Sequence, residues 1–116
     1  MPTTVNIPPI VQKKIKQLKR KYPAVTAQVR KLVVQLEADE RPGDKIPGVG
    51  YNVYKVRLAN PSAQRGKSGG FRVIYYLHLV DRVILVTIYS KTEHTDISPG
   101  KIHQVLEDLL PPDPES

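Results

Sequence analysis

The spacing of the apolar residues changes once along this chain, near residue 51, and this change restricts the fold more than any other feature. Before it, apolar residues recur at helical intervals in two stretches that Pro23 separates. After it, "YNVYKVRL" and "FRVIYYLHLV" alternate apolar and polar residues as half-buried strands do, and "VILVTIYSK" is mostly β-branched. We therefore expect an α+β fold in which an N-terminal helical hairpin packs on a small antiparallel sheet.

The two ends of the chain carry their own signals. A short C-terminal helix is predicted over residues 98–110, because Ser98 is a helix-capping residue and the proline after it suits the first helical position. Residues 1–6 are predicted to add a short edge strand to the sheet. We expect residues 1–110 to form a single domain and residues 111–116 to be a disordered tail.

Composition narrows the classes of protein to which the chain can belong. Hydrophobic residues make up 40% of its 116 residues, which is enough for one modest core. The absence of cysteine excludes disulfides and thiolate metal sites, and the spacing of the histidines suggests no other metal site. No apolar stretch is long enough to span a membrane, and the first residues do not have the pattern of a secretion signal. We expect a cytoplasmic protein without a membrane partner.

Positive charge is concentrated in the body of the chain. The formal net charge is +7, but residues 1–91 hold 17 Lys or Arg against 5 Asp or Glu, whereas residues 92–116 hold one Lys against six acids. A strongly basic body attracts polyanions, of which nucleic acid is the commonest in a cytosol. Charge alone is equally compatible with a merely solvated surface.

The pairing of the last two long strands is predicted from a tight turn at Asp81 and Arg82. In an antiparallel register this turn pairs Tyr75 with Ile88 and sets Arg72 directly opposite Lys91. The strand "FRVIYYLHLV" is then expected to turn these residues to the core: Phe71, Val73, Tyr75, Leu77 and Leu79.

The same register predicts a cluster of cations on the face of the sheet that points away from the core, at one end of the strands. The linker after the strand "YNVYKVRL" returns the chain so that Arg57 lies near Arg72. Repulsion among these cations lowers the stability of the fold. Proteins tend to keep such a destabilising cluster at a functional site. The predicted cluster consists of Lys55, Arg57, Arg72 and Lys91, with Arg65 and Lys67 hanging over it from "QRGKSGGF".

Such a cluster suits the cleavage of RNA. Arg makes two-pronged hydrogen bonds to phosphate oxygens, and the pKa of a Lys falls when other cations crowd it, so that it can accept a proton near neutral pH. A Lys can then take the proton of a ribose 2′-hydroxyl while arginines stabilise the negative charge of the transition state. Tyr89 is predicted on the same face, where a base can stack on it, and His94 follows one turn later.

The sequence resembles the toxins of the RelE/ParE superfamily from bacterial toxin–antitoxin modules, most of all their RelE and HigB branch. The likeness covers roughly residues 5–110 and rests on "KRKYP", "VYKVRLAN", "GKSGGFRVIYY" and "ILVTIYSKTEHTDIS". It implies cleavage of messenger RNA in the decoding site of a ribosome, without metal or cofactor. It also implies a cognate antitoxin, HigA-like or RelB-like, that blocks the toxin and often binds operator DNA with it.

The resemblance implies roles for single residues. Lys55 and Arg57 match the basic pair in the family's "YKIKL"-like strand, with a proton-transfer role for the first and a phosphate role for the second. Arg72 matches the Arg after the family's Gly-aromatic pair, which is placed on the scissile phosphate. Lys91 matches the Lys that ends the last strand in the same branch.

The sequence departs from this family pattern after Lys91. Thr92 stands where RelE enzymes place another Arg, and their C-terminal tyrosine is replaced near Ser98. The group that protonates the leaving 5′-oxygen therefore stays open among four residues: Tyr89, Glu93, His94 and Asp96.

Two other functions fit part of the pattern. Members of the ParE branch share the fold but inhibit DNA gyrase, and they need no nuclease cluster. A general nucleic-acid-binding module would bind through charge alone, with a strong dependence on salt. The cation set at Lys55, Arg57, Arg72 and Lys91 favours the nuclease over the gyrase inhibitor. A general binding module would cause no loss of growth on expression.

Overall fold

The computed structural model describes residues 3–59, 70–91 and 97–110. They form three helices and a mixed five-stranded sheet, so the expected α+β class is confirmed. The predicted tail at residues 111–116 lies outside the described residues. The elements are β1 (Thr4–Asn6), α1 (Pro9–Lys21), α2 (Val25–Glu37), β2 (Asp44–Lys45), β3 (Val53–Leu58), β4 (Phe71–Leu79), β5 (Arg82–Ser90) and α3 (Pro99–Leu109).

Local chemistry explains where the helices begin and end. α1 ends at Lys21 because Tyr22 precedes a proline, which disfavours the helical conformation, and Tyr22 has φ −130° and ψ 85°. After α2 the chain turns at Asp39, whose φ of 67° is a left-handed conformation that Asp tolerates better than most residues. α3 has the predicted cap, since the Ser98 hydroxyl accepts a hydrogen bond from the Lys101 N–H at 3.2 Å.

The sheet separates two apolar clusters. On one face, α1 and α2 pack the buried residues Val11 and Leu32 against Phe71, Val73 and Tyr75 of β4. This is the predicted core. On the other face, the buried residues of α3 pack on β3, β4 and β5 in a second cluster, which includes Val53, Ile74, Val86, Tyr89, Ile102 and Leu106.

The strand order is β1-β5-β4-β3-β2. The predicted N-terminal edge strand is confirmed at Thr4–Asn6, where it pairs in parallel with β5. The other neighbouring pairs are antiparallel, as expected. The sheet is therefore mixed rather than wholly antiparallel.

The predicted register of β4 and β5 is wrong. The turn consists of Val80 and Asp81, one position earlier than predicted, so that Leu79 pairs with Arg82. From the turn back along β4, an irregularity at Leu77/Leu79 moves the register by one residue, and a second at Ile74/Tyr75 restores it. Tyr75 consequently pairs with Leu85, and Arg72 pairs with Tyr89 instead of Lys91.

The end of β4 also differs from the prediction. Leu79 was expected in the core but is 51% exposed, and Val80 beside it is 89% exposed. Leu79 directly precedes the tight turn, and Val80 is its first residue. Phe71, Val73 and Tyr75 are buried as predicted, and Leu77 is partly buried against the same cluster.

Candidate active site

Two arginines face each other near one end of the sheet. Arg57 of β3 is the direct partner of Arg72 of β4, and Lys55, two positions earlier on β3, is the partner of Ile74. Because side chains alternate along a strand, Lys55 and Arg57 share the face on which Ile74 packs beneath α3. Opposed residues of adjacent strands lie about 5 Å apart at Cα, a distance at which like charges repel. The predicted proximity of Arg57 to Arg72 is confirmed.

Arg72 is a buried cation. It is 4% exposed, and its Nη1 donates a hydrogen bond to the carbonyl oxygen of Phe71 at 3.3 Å. Within residues 3–59, 70–91 and 97–110, no carboxylate forms a salt bridge with Arg72 or with Arg57. A charge held away from water without a counter-charge is costly. The two arginines therefore create a region of positive potential, and an anion bound there would offset the free-energy cost of burying Arg72.

Gly70 makes room for the arginine side chain. A Cβ placed on Gly70 would lie 2.4 Å from the carbonyl oxygen of Leu58 and 3.5 Å from Nη1 of Arg72. β3 and β4 therefore approach each other closely at the point where Arg72 enters the sheet. This requirement accounts for one glycine of the "GKSGGF" stretch.

Lys91 lies at the same end of the sheet but not opposite Arg72. Its backbone N–H donates to the carbonyl oxygen of Gly70 at 3.1 Å, which continues the β4–β5 pairing one step beyond Ser90. Lys91 is partly exposed. The structure therefore brings Lys55, Arg57 and Arg72 together on two strands, with Lys91 at the adjoining end of the third.

Tyr89 does not have the surface position expected of a base-stacking residue. It lies directly opposite Arg72, on the predicted face, but it is only 5% exposed. α3 covers this part of the sheet, and Tyr89 packs with Ile102 and Leu106 in the second cluster. The prediction that its ring stacks on a base is wrong for this arrangement of α3, which the strand pattern alone did not indicate.

Several predicted residues fall outside the described part of the chain. Arg65 and Lys67 belong to the segment between β3 and β4. His94 belongs to the segment between β5 and α3, together with Glu93 and Asp96. Their predicted roles in substrate binding and proton transfer stay predictions.

Further cations lie on the helical side of the sheet, on the face opposite to Arg57 and Arg72. Nζ of Lys14 in α1 donates a hydrogen bond to the hydroxyl of buried Thr87 in β5 at 2.9 Å. At the end of α1, the Tyr22 ring packs edge-on against Phe71, with 5.6 Å between ring centroids. This contact brings the last turn of α1, which carries Lys19, Arg20 and Lys21, to the same end of the sheet as Arg72.

Polar contacts fasten α3 over the second cluster. The Tyr51 hydroxyl donates to Oε1 of Glu107 at 2.9 Å, and this hydrogen bond to a carboxylate raises the pKa of Tyr51 above its ordinary value. Nε2 of His103 lies 3.1 Å from the same oxygen, and Nδ1 lies 2.7 Å from the carbonyl oxygen of Val49. His103, left without a role by the sequence, therefore joins α3 to the loop before β3.

Among the described residues, no group of three His, Asp or Glu side chains is arranged to hold a metal ion. No helix in the described ranges is long and apolar enough to cross a membrane.

Comparison with solved structures identifies the architecture. No protein-family model matches the sequence. A structure of the Escherichia coli toxin RelE in the free state, in a variant with two arginines replaced by alanine, is similar to 95% of this chain and 100% of its own, with a TM-score of 0.57 and 19% sequence identity. The chain has the RelE fold. At this identity the RelE likeness defines the arrangement of helices and strands, and the chemistry has to be argued from the cations described above.

Proposed function

We propose that the chain is the toxin of a toxin–antitoxin pair and that it stops translation by cutting messenger RNA on the ribosome. Two findings support the proposal: the RelE fold over most of the chain, and the cations that β3 and β4 bring together. The observation that carries it is the direct pairing of Arg57 with Arg72, with no carboxylate of the described residues bonded to either. A phosphodiester bound there would supply the missing negative charge.

In the proposed mechanism, the 2′-hydroxyl of a bound nucleotide attacks the adjacent phosphorus. Lys55 accepts the hydroxyl proton, the bond between the 2′-oxygen and phosphorus forms, and the bond to the 5′-oxygen breaks. The departing 5′-oxygen takes a proton from the acid left open among Tyr89, Glu93, His94 and Asp96, so that the products are a 2′,3′-cyclic phosphate and a 5′-hydroxyl. Arg57 and Arg72 donate hydrogen bonds to the phosphate oxygens, whose negative charge increases in the transition state. Lys91 adds positive charge from the end of β5. The mechanism uses side chains alone, without metal or cofactor.

The partners follow from this proposal. The substrate is messenger RNA within a ribosome, and a cognate antitoxin of the HigA or RelB kind keeps the toxin inactive. Operator DNA is contacted only through that antitoxin, and the site of action is the cytoplasm.

The first test is controlled expression of the wild-type chain beside two variants, Arg57→Ala and Arg72→Gln. We expect the wild type to stop bacterial growth and to create new 5′ ends inside translated reading frames. Removing one donor to a transition-state oxyanion costs about 10²- to 10³-fold in rate, so both variants should restore growth. Because Arg72 is buried, a melting curve must show that Arg72→Gln is folded. The exposed Arg57 keeps the test decisive if that variant unfolds.

The two outcomes separate the candidate functions. Cuts that disappear in both folded variants support the nuclease. Growth arrest with intact messages would contradict it and would favour the gyrase-binding mechanism of the ParE branch.

Dependence on the ribosome needs its own control. A reporter message with a working start codon is compared with the same message carrying a disabled one. We expect cuts in the first message only, since the second is not translated. Equal cutting of both would show that free RNA is the substrate.

A further inference from the structure

The end of the sheet farthest from Arg72 carries an apolar groove at its surface. The groove has a volume of about 840 Å³ and lies between the loop after α2 and the turn that joins β4 to β5. Leu79 and Val80, both exposed, are adjacent apolar residues of a type that folded chains mostly bury. They line the groove together with Asp39, Arg41, Leu77 and Asp81.

The rim of this groove is acidic. Asp39 and Asp81 belong to its lining, and within residues 3–59, 70–91 and 97–110 the Asp81 carboxylate forms no salt bridge. The Arg41 guanidinium is turned to its own chain instead, where it donates to the carbonyl oxygens of Leu36, Glu40 and Val80 and to the hydroxyl of Thr3. The groove therefore suits a partner that brings an apolar side chain with a cation beside it.

The first turns of α1 carry this combination on the same chain. Ile10 is 55% exposed, and the exposed Lys13 lies three residues further on, which places the two side chains next to each other on the helix surface. Val11, Ile15 and Leu18 form the side of α1 that packs on the core. Ile10 is therefore an apolar side chain that the core of its own chain does not use.

Ile10 and the groove lie in the same half of the molecule. β1 pairs with the first residues of β5, from Thr4 opposite Arg82 to Asn6 opposite Ile84, and α1 begins three residues after β1. The start of α1 is thus held near the turn between β4 and β5. A two-fold dimer requires both halves of a complementary contact on one surface, and this arrangement supplies them.

We propose that two copies of this chain form a two-fold dimer in which Ile10 of each copy enters the groove at Leu79 and Val80 of the other. Lys13 then faces Asp81 across the contact, and this opposition of charges occurs twice in each dimer. The dimer goes beyond the proposed function and does not depend on it, because the contact uses no residue of the candidate active site.

Other occupants fit the groove less well. RNA would bring its phosphates to Asp39 and Asp81, which repel them, and the exposed apolar side chains offer a phosphate nothing. Two grooves stacked on each other would set Asp81 of one copy against the same acids of the other. The surface around Ile10 matches the groove in both apolar character and charge.

The proposed contact leaves the candidate active site open. Leu79 follows Arg72 by seven positions on β4, a distance of about 23 Å along a strand. Each dimer therefore presents two separate sets of cations. One long RNA that engages both sets would be bound more tightly than by a single chain.

The test measures the association state of the full chain. Sedimentation velocity is recorded from about 10 μM to about 1 mM protein, a range that brackets a weak dimer. Four proteins are compared with the wild type: Lys13→Glu, Asp81→Lys, the variant with both changes, and Lys16→Glu. Lys16 is also exposed on α1 but lies on a different side of the helix from Ile10, so it controls for the change in net charge.

We expect the wild type to dimerise with a dissociation constant on the order of 0.1 mM, since the contact contains few apolar groups. Lys13→Glu and Asp81→Lys should each weaken the dimer about tenfold, because each sets like charges together twice. The double variant should recover the wild-type affinity. An equimolar mixture of the two single variants should recover it as well, since every contact in the mixed dimer again joins an acid to a base. Lys16→Glu should stay within about twofold of the wild type.

Three results would overturn the inference. They are a wild type that stays monomeric up to about 1 mM, a dimer that Lys13→Glu and Asp81→Lys leave unchanged, and a mixture of these variants that does not recover the dimer. RNA cleavage is measured beside association, and Lys13→Glu should cleave as Lys16→Glu does. A chain that dimerises as expected but cuts no RNA would contradict the proposed nuclease alone, so the two proposals fail separately.

Discussion

Arg72 keeps its place because the residue two positions before it has no side chain. Gly70→Ala would set a methyl group 2.4 Å from the Leu58 carbonyl oxygen, a backbone atom that cannot move without shifting β3. We expect the free energy of unfolding to fall by about 1–3 kcal/mol, as for other overpacked sites, and cleavage to fall with it, because Arg57 lies on the displaced strand. Denaturant unfolding and the expression assay measure the two effects.

A glycine-to-alanine substitution in α3 provides the control. A Cβ on Gly100, in the first turn of α3, would meet no atom within 4 Å. Gly100→Ala should therefore keep or raise the free energy of unfolding, by up to about 1 kcal/mol from the greater helix propensity of Ala. If both substitutions had the same effect, the close approach of β3 and β4 at Gly70 would not matter.

Ionisation of the buried Tyr75 is expected to lower the free energy of unfolding at alkaline pH. Its ring is fully buried, its hydroxyl donates to the Pro42 carbonyl oxygen at 2.6 Å, and burial raises its pKa from 10.0 to about 12. A pKa raised by folding means that the contribution is complete below pH 10 and is lost as the pH rises through 12. Two pKa units correspond to a loss of about 3 kcal/mol.

The matched variant for this effect is Tyr75→Phe. It cannot ionise, so lysine deprotonation in the same range affects both proteins and cancels in their difference. We expect the wild type to lose stability relative to Tyr75→Phe between pH 10 and pH 12, as measured by denaturant unfolding at each pH. Parallel pH profiles would show that the Tyr75 hydroxyl is solvated instead.

At the scale of elements, the sequence indicated the helices better than the pairing of the strands. The helical spacing, the break at Pro23 and the Ser98 cap act within a few positions, and each was confirmed. Strand register depends on the exact turn, and Val80, an apolar β-branched residue, was assigned to a strand although it forms the turn. One such misplacement moved the predicted partner of Arg72 from Tyr89 to Lys91.

The grouping of the candidate residues was predictable to the same degree. Lys55, Arg57 and Arg72 were placed on one face correctly because alternation fixes the face of a strand, whatever its register. The burial of Tyr89 was not found, since it depends on how α3 lies on the sheet, and "SPGKIHQVLEDLL" predicts a helix without saying which surface it covers.

The Ser98 cap provides a test of how α3 is held. Its hydroxyl satisfies the Lys101 N–H in the first turn. Ser98→Ala should lower the free energy of unfolding by about 1 kcal/mol, whereas Ser98→Asp, which also caps, should not. Equal losses in denaturant unfolding would show that packing of Ile102 and Leu106 alone fixes the start of α3.

For the whole molecule, the net charge of +7 predicts that RNA binding weakens as salt is added. The logarithmic salt slope for single-stranded RNA should decrease by about 0.7 in Arg57→Ala, which removes one phosphate contact. Arg82→Ala, exposed at the opposite end of the sheet, should leave the slope unchanged. Anisotropy of a labelled RNA at several salt concentrations measures both. Equal slopes would favour binding by overall charge, as in a general nucleic-acid-binding module.

The parallel pairing of β1 with β5 has a consequence for biosynthesis. It joins Thr4 to Arg82, and α1 packs on the same late strand, so the first segments made have no sheet to pack on until β5 has left the ribosome. Arg57 and Arg72 pair between β3 and β4, but the sheet that holds these strands is complete only once β5 has been made. The packing of α1 and the pairing of β1 are therefore expected to form late, after β5 has been synthesised.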